Sequence, residues 1–161
     1  MRFMMGVALA AAAAMAAAPA AWAEDVDHVA AATALIGDMT AEDATKAGKK
    51  VFRKCKQCHE VEKDRNKIGP HLVGVFGRTA GTLESFTKYS DPMKAAGTDN
   101  PATEEAGDPL VWNVETLTPY LAKPRDYIKG TRMNFAGLKK PEDINVLLYY
   151  MAVSGGVPAT N

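Results

Sequence analysis

Apolar positions in this chain gather into three blocks at helical spacing, separated by stretches broken by glycine and proline. In the first block Ala44, Ala47, Gly48, Val51, Phe52 and Cys55 recur at the intervals of one helix face. Thr40 and Asp43 just ahead of it form a T-x-x-D start signal, so the pattern predicts a helix over 41–55. Gly48 falls in its buried face. A glycine inside a helix costs about 0.5–1 kcal/mol, which points to close approach by another element there. In the second block Val114, Leu117 and Leu121 share a face, with Asn113 placed to cap the helix and Pro124 to end it. A third helix begins near Pro141, carries Ile144, Leu147, Leu148 and Met151 on one stripe, and stops at Gly155-Gly156.

The rest of the chain reads differently. From 59 to 113, Gly69-Pro70, Gly74, Gly77, Gly81, Gly97 and Asn100-Pro101 come too often for long regular elements. Only a short helical turn starting at Asp91, with Pro92 at its first position, is predicted there. No strand pair and no internal repeat is visible. Residues 24–40 hold Asp25, Asp27 and Asp38 among alanines and break at Gly37, which reads as a short helix or a disordered acidic tail. Residues 1–23 combine Arg2, an Ala-rich apolar run from Val7 to Ala18 and Ala21-Trp22-Ala23, the pattern of a secretory signal cleaved after Ala23. An uncleaved anchor helix is the alternative. The expected organisation is thus a signal peptide (1–23), an N-terminal tail (24–40), one domain (41–156) and a C-terminal tail (157–161), exported to a periplasmic space.

Composition narrows the class. A chain of 161 residues, 47% hydrophobic and 24% charged, fits one globular domain. Nineteen Lys and Arg balance nineteen Asp and Glu, which argues against a nucleic-acid partner. Two cysteines are too few for a disulfide scaffold. Three modest helices and a loop of such length would bury too little apolar surface for a firm fold. The sequence therefore calls for a large apolar group from outside itself.

Cys55-Lys56-Gln57-Cys58-His59 names that group, for C-x-x-C-H is the attachment signature of a c-type haem. The two thiols add across the haem vinyl groups, and His59 follows in position to ligate the iron. A thioredoxin-like C-x-x-C would need a βαβ frame, which the pattern lacks. A zinc site would need further ligands, and only His28 and His71 remain. A plain disulfide leaves the missing core unexplained. The sixth iron position then separates a carrier from an enzyme, because an open position allows ligand binding or peroxide chemistry. Met133 stands out among the methionines, in the segment Gly130-Thr131-Arg132-Met133-Asn134-Phe135-Ala136-Gly137 between the second and third helices. A lone Met is usually core filler.

From Gly48 to Met151 the chain resembles class I cytochrome c, specifically the cytochrome c2 group of bacteria related to the mitochondrial protein. Gly48 and Phe52 match the first-helix contact residues, and Leu147 and Tyr150 their partners on the last helix. Gly69-Pro70 matches the loop whose proline carbonyl accepts the proton of the ligating histidine, here His59. Arg78, Tyr89 and Trp112 resemble the groups that hold the inner haem propionate, and Leu117, Tyr120, Leu121 and Pro124 the helix over the haem face. Tyr127, Gly130, Thr131, Met133 and Phe135 match the methionine-ligand loop, which implies that Met133 is the second axial ligand. Lys129 departs from the pattern, standing where the family has proline, and His71 replaces an asparagine. The resemblance implies an all-α class I cytochrome c fold around one covalently bound haem c. It also implies a monomeric, non-enzymatic electron carrier between a cytochrome bc1 complex and a cytochrome c oxidase or a photosynthetic reaction centre. A membrane-anchored carrier and a peroxidase-like haem enzyme are the rival readings.

Charge order adds a docking expectation that the zero total hides. Residues 46–67 carry nine bases against three acids, and 123–140 six bases against Asp126 alone. Residues 84–115 carry seven acids against Lys88 and Lys94. The two basic segments contain C-x-x-C-H and Met133, so the haem edge should be ringed by positive charge, with Lys54, Lys67 and Lys139 as docking candidates.

Overall fold

Thr40 starts the first predicted helix as its sequence requires. Its Oγ1 accepts the amide of Asp43 at 3.2 Å and its hydroxyl donates to Asp43 Oδ2 at 2.9 Å. The computed structural model describes residues 27–103 and 105–157. In chain order the helices are α1 (His28–Ala34), α2 (Ala41–Phe52), α3 (Asp91–Ala96), α4 (Val114–Ala122), α5 (Pro124–Tyr127) and α6 (Pro141–Met151), followed by a π turn at Ala152–Gly156. Among the described residues no strand ladder forms; Thr79 and Val111 make one isolated antiparallel bridge. The fold is the all-α class expected. The segment read as a secretory signal, 1–23, lies outside the described residues.

Local chemistry accounts for the other helix limits. Asn113 Oδ1 accepts the Thr116 amide at 2.9 Å while Thr116 Oγ1 accepts the Asn113 amide at 3.0 Å, a reciprocal cap for α4. Pro124 cannot continue α4 and instead opens the short α5. Pro141, Glu142 and Asp143 occupy the first turn of α6, where proline costs no hydrogen bond and carboxylates suit the helix dipole. Gly155, at φ 116°, ends the closing turn in a conformation that only glycine adopts readily.

The core is organised by α2 crossing α6. A Cβ on Gly48 would lie 2.1 Å from the Val146 carbonyl oxygen and 2.5 Å from Tyr150 Cβ. The expected close approach is there, with one correction to the partners. Val146 and Tyr150, four residues apart, share the face that meets Gly48, whereas Leu147 is turned a further 100° about the axis into the fully buried core. Phe52 packs on Tyr150 with ring centroids 5.4 Å apart.

Residues 28–35 are helix and core rather than tail. Ala32 is fully buried, Asn145 donates from Nδ2 to the Leu35 carbonyl at 3.2 Å, and the His28 ring lies 5.6 Å from Phe76. Thus α1 docks on α6, α4 and the closing turn. The 97–109 loop folds back on itself: Asn100 donates to the Asp108 carbonyl at 2.7 Å and Leu110 to that of Ala96 at 2.9 Å.

Candidate functional site

The attachment motif sits where α2 runs out. Helical bonding persists past Phe52, with the Cys58 amide donating to the Cys55 carbonyl at 3.0 Å and the His59 amide to the same oxygen at 2.9 Å. That winding puts positions 55, 58 and 59 on one face, as i, i+3 and i+4. Both cysteines are partly buried and not joined in a disulfide. Burial, opposed by Lys54 and reinforced by Cys58, pushes the Cys55 thiol up to about 11. Among the described residues no three His, Cys, Asp or Glu side chains gather into a metal-binding cluster.

His59 is oriented by the backbone. Its Nδ1 lies 2.7 Å from the Pro70 carbonyl oxygen, an acceptor only, so Nδ1 carries the proton and Nε2 keeps its lone pair. Burial holds the imidazole pKa below the ordinary range, partly offset by the Pro70 bond, and Lys67 adds to the lowering. Gly69 makes the approach possible: a Cβ there would lie 2.4 Å from His59 Cε1. The chain passes flat against the imidazole because position 69 has no side chain.

Met133 is the counterpart on the loop after α5. Half-buried against the core, it accepts a hydrogen bond at Sδ from the Tyr120 hydroxyl at 3.1 Å. Burial pushes the Tyr120 phenol up to about 12, so it remains a donor. Thr131 Oγ1 accepts the Met133 amide at 3.3 Å, and the Phe135 amide donates to the Met133 carbonyl at 3.0 Å with its ring half-buried. The loop is fixed at its far end by Gly137, where a Cβ would strike the Ala122 carbonyl oxygen at 2.0 Å.

Arg78, Tyr89 and Trp112 are brought together. The Trp112 amide donates to the Arg78 carbonyl at 2.9 Å, and the Arg78 guanidinium shares a hydrogen bond with Tyr89. Trp112 is buried against Tyr120, ring centroids 4.8 Å apart. Arg78 also donates from Nη1 to the His71 carbonyl at 3.1 Å and from Nη2 to that of Val73. His71 is buried, with Nδ1 3.9 Å from Asp64 Oδ1.

Of the three docking candidates, Lys67 is the one turned inward. Lys67 donates to the carbonyls of Lys56 at 2.8 Å and His59 at 3.0 Å, and lies 3.2 Å from Glu60 Oε2. Lys139 caps the Ala136 carbonyl at 3.0 Å, and Lys54 reaches Asp143 at 4.0 Å. Further cations lie along α2 and the segment that follows it. Lys46, Lys49, Lys50, Arg53, Lys56 and Lys63 border a groove of about 580 Å³ above Phe52 and Tyr150. Among the described residues none of these six has a carboxylate within 4.0 Å. The groove's Glu60 and Glu62 are already bonded, to Arg65 and Lys67 and to the Tyr150 hydroxyl. Sequence patterning gave no sign of the internal role of Lys67, since a lysine in a basic run reads only as surface charge.

Two thiols one turn apart, followed by an imidazole that offers Nε2, have the chemistry that attachment of a c-type haem requires. Together with the helices they define an all-α haem protein. The cytochrome c family pattern matches residues 45–154. Cytochrome c2 of Afifella marina is 46% identical over 110 residues, covering 68% of this chain and 81% of that protein. Cytochrome c2 iso-2 of Magnetospirillum molischianum is 44% identical, covering 62% and 90%, and cytochrome c 2.1 of Caenorhabditis briggsae 42%, covering 76% and 98%. The chain belongs to the cytochrome c family, as a class I member of the cytochrome c2 group, and its cofactor is one covalently bound haem c. It is an electron carrier.

Proposed function

We propose that Cys55 and Cys58 carry the haem, that His59 and Met133 are its axial ligands, and that the protein shuttles electrons from a cytochrome bc1 complex to a cytochrome c oxidase or a photosynthetic reaction centre. The observation that carries the ligand assignment is that each candidate donor is pre-oriented by its own hydrogen bond, His59 by Pro70 and Met133 by Tyr120. When bound, the haem supplies reversible one-electron exchange between Fe(II) and Fe(III). The chain's residues do the rest. His59, neutral through burial, presents Nε2, and the Pro70 carbonyl fixes the ring and raises its basicity as a ligand. Met133 would offer the iron a soft thioether, a ligand that favours the reduced state. Arg78, Tyr89 and Trp112 offer donors for the inner propionate, and Tyr120, Thr131 and Phe135 line the Met133 side.

The unpaired cations around the α2 groove support association with an acidic redox partner, since steering by such a field raises encounter rates. The protein is a monomeric, periplasmic carrier, delivered by the cleavable signal at 1–23, with 41–156 as the haem domain. Two measurements test this reading. Ferric protein should show a sulfur-to-iron charge-transfer band that Met133→Ala abolishes, and its visible spectrum should not respond to millimolar cyanide. An N-terminal mass beginning at Glu24 in the periplasmic fraction checks the export assignment; an intact leader in the membrane fraction contradicts it.

A further inference from the structure

The Lys67 side chain folds back onto the attachment motif. Its ammonium donates to the carbonyls of Lys56 and His59 and pairs with the Glu60 carboxylate at 3.2 Å. The side chain is 21% exposed, against 55% for Lys54. The main chain around it grips the same turn. The Lys67 amide donates to the Gly69 carbonyl at 3.0 Å, the Gly69 amide to that of Cys58 at 2.9 Å, and the Leu72 amide to that of Glu60 at 2.6 Å.

The two carbonyls that Lys67 takes are ones the turn leaves over. Helical bonding stops at the His59 amide, and among the described residues no backbone N–H reaches the carbonyl of Lys56 or of His59. Carbonyls at the end of a helical run need an outside donor, and a lysine is well suited to supply one. We propose that Lys67 is a positioning residue for the haem: by binding the Lys56 and His59 carbonyls together with Glu60 it locks the turn that sets Cys55, Cys58 and His59 relative to one another. Arginine would keep the charge but not the function, because its planar fork cannot converge three donors on acceptors grouped around a point.

This proposal rests on the assignment of Cys55, Cys58 and His59 to the haem, and the experiment separates the two. Holoprotein of the wild type, Lys67→Arg, Lys67→Gln and Lys56→Gln is compared by amide hydrogen exchange, reduction potential and the ionic-strength dependence of its reaction with ferricyanide. Both Lys67 variants should exchange the Cys58, His59 and Gly69 amides faster, on the order of tenfold or more, and shift the potential. Lys67→Arg should keep the wild-type salt dependence. Lys56→Gln should weaken that dependence and leave the three amides as protected as before. Wild-type exchange and potential in Lys67→Arg, with only the salt dependence altered in Lys67→Gln, would overturn the proposal and return Lys67 to the surface charges. A wild-type chain that releases its haem on acid-acetone extraction would instead overturn the attachment assignment.

Discussion

Tyr120 donates its phenolic hydrogen to Met133 Sδ across 3.1 Å, joining α4 to the loop after α5. The bond draws electron density from the sulfur. A less donating thioether favours Fe(II), so Tyr120→Phe should lower the reduction potential by roughly 20–60 mV, the equivalent of one neutral hydrogen bond in a one-electron couple. A redox titration checks it, and an unchanged potential would show that the bond does not reach the iron.

Met133→Ala removes the thioether while leaving Cys55, Cys58 and the His59–Pro70 bond in place. The variant should retain haem through acid-acetone extraction, lose the ferric charge-transfer band, acquire a lower potential and bind cyanide readily. Retention of the band would exclude Met133 as a ligand.

Gly48→Ala should destabilise the fold by about 1–3 kcal/mol, because the new methyl meets the Val146 carbonyl at 2.1 Å and the backbones must part. Gly48→Leu should prevent the crossing outright. Thermal melts of the holoproteins decide; a melting temperature equal to that of the wild type would mean the helices yield without cost.

Deleting residues 24–37 takes away α1, exposing the core against which Ala32 packs and the face of Phe76 that His28 covers. The loss should be about 1–3 kcal/mol in a urea titration, with the visible spectrum unaltered, since no α1 residue belongs to the haem donor set. An unshifted midpoint would make α1 an ornament of the surface.

Charge reversal at Lys49, Lys56 or Lys63 should slow electron transfer with an acidic partner several-fold at low salt and much less at physiological salt. Reversal at Glu105, in the acidic 97–109 loop, should have little effect. The second-order rate of the wild type should itself fall as salt rises; a rate indifferent to ionic strength removes this docking surface.

What the residues determine by themselves is everything that depends on neighbours a few positions apart. Thr40 with Asp43 and Asn113 with Thr116 are caps closed within three residues. Pro124 and the paired Gly155-Gly156 end helices for reasons internal to the backbone. The spacing of the haem motif belongs here too, because i, i+3 and i+4 fall on one face of a helical turn. Gly48 announced a crossing through its cost, although the face that meets it could be assigned only once α6 was rotated into place, and Val146 rather than Leu147 lies opposite.

Only tertiary structure decided the rest, since those contacts join residues whose separation along the chain carries no pattern. The acidic, alanine-rich 24–40 segment could be helix or disorder until α6, more than a hundred positions away, supplied Asn145 and a surface for Ala32. Lys67 reads as one more cation in a basic run, yet the return of the chain at Gly69-Pro70 brings its ammonium under two leftover carbonyls and makes it internal. The bond from Tyr120 to Met133 likewise exists because α5 and its loop turn back across α4. Caps and motifs are closed by local geometry, whereas the partner of a side chain in a long loop is chosen by where the folded chain carries it.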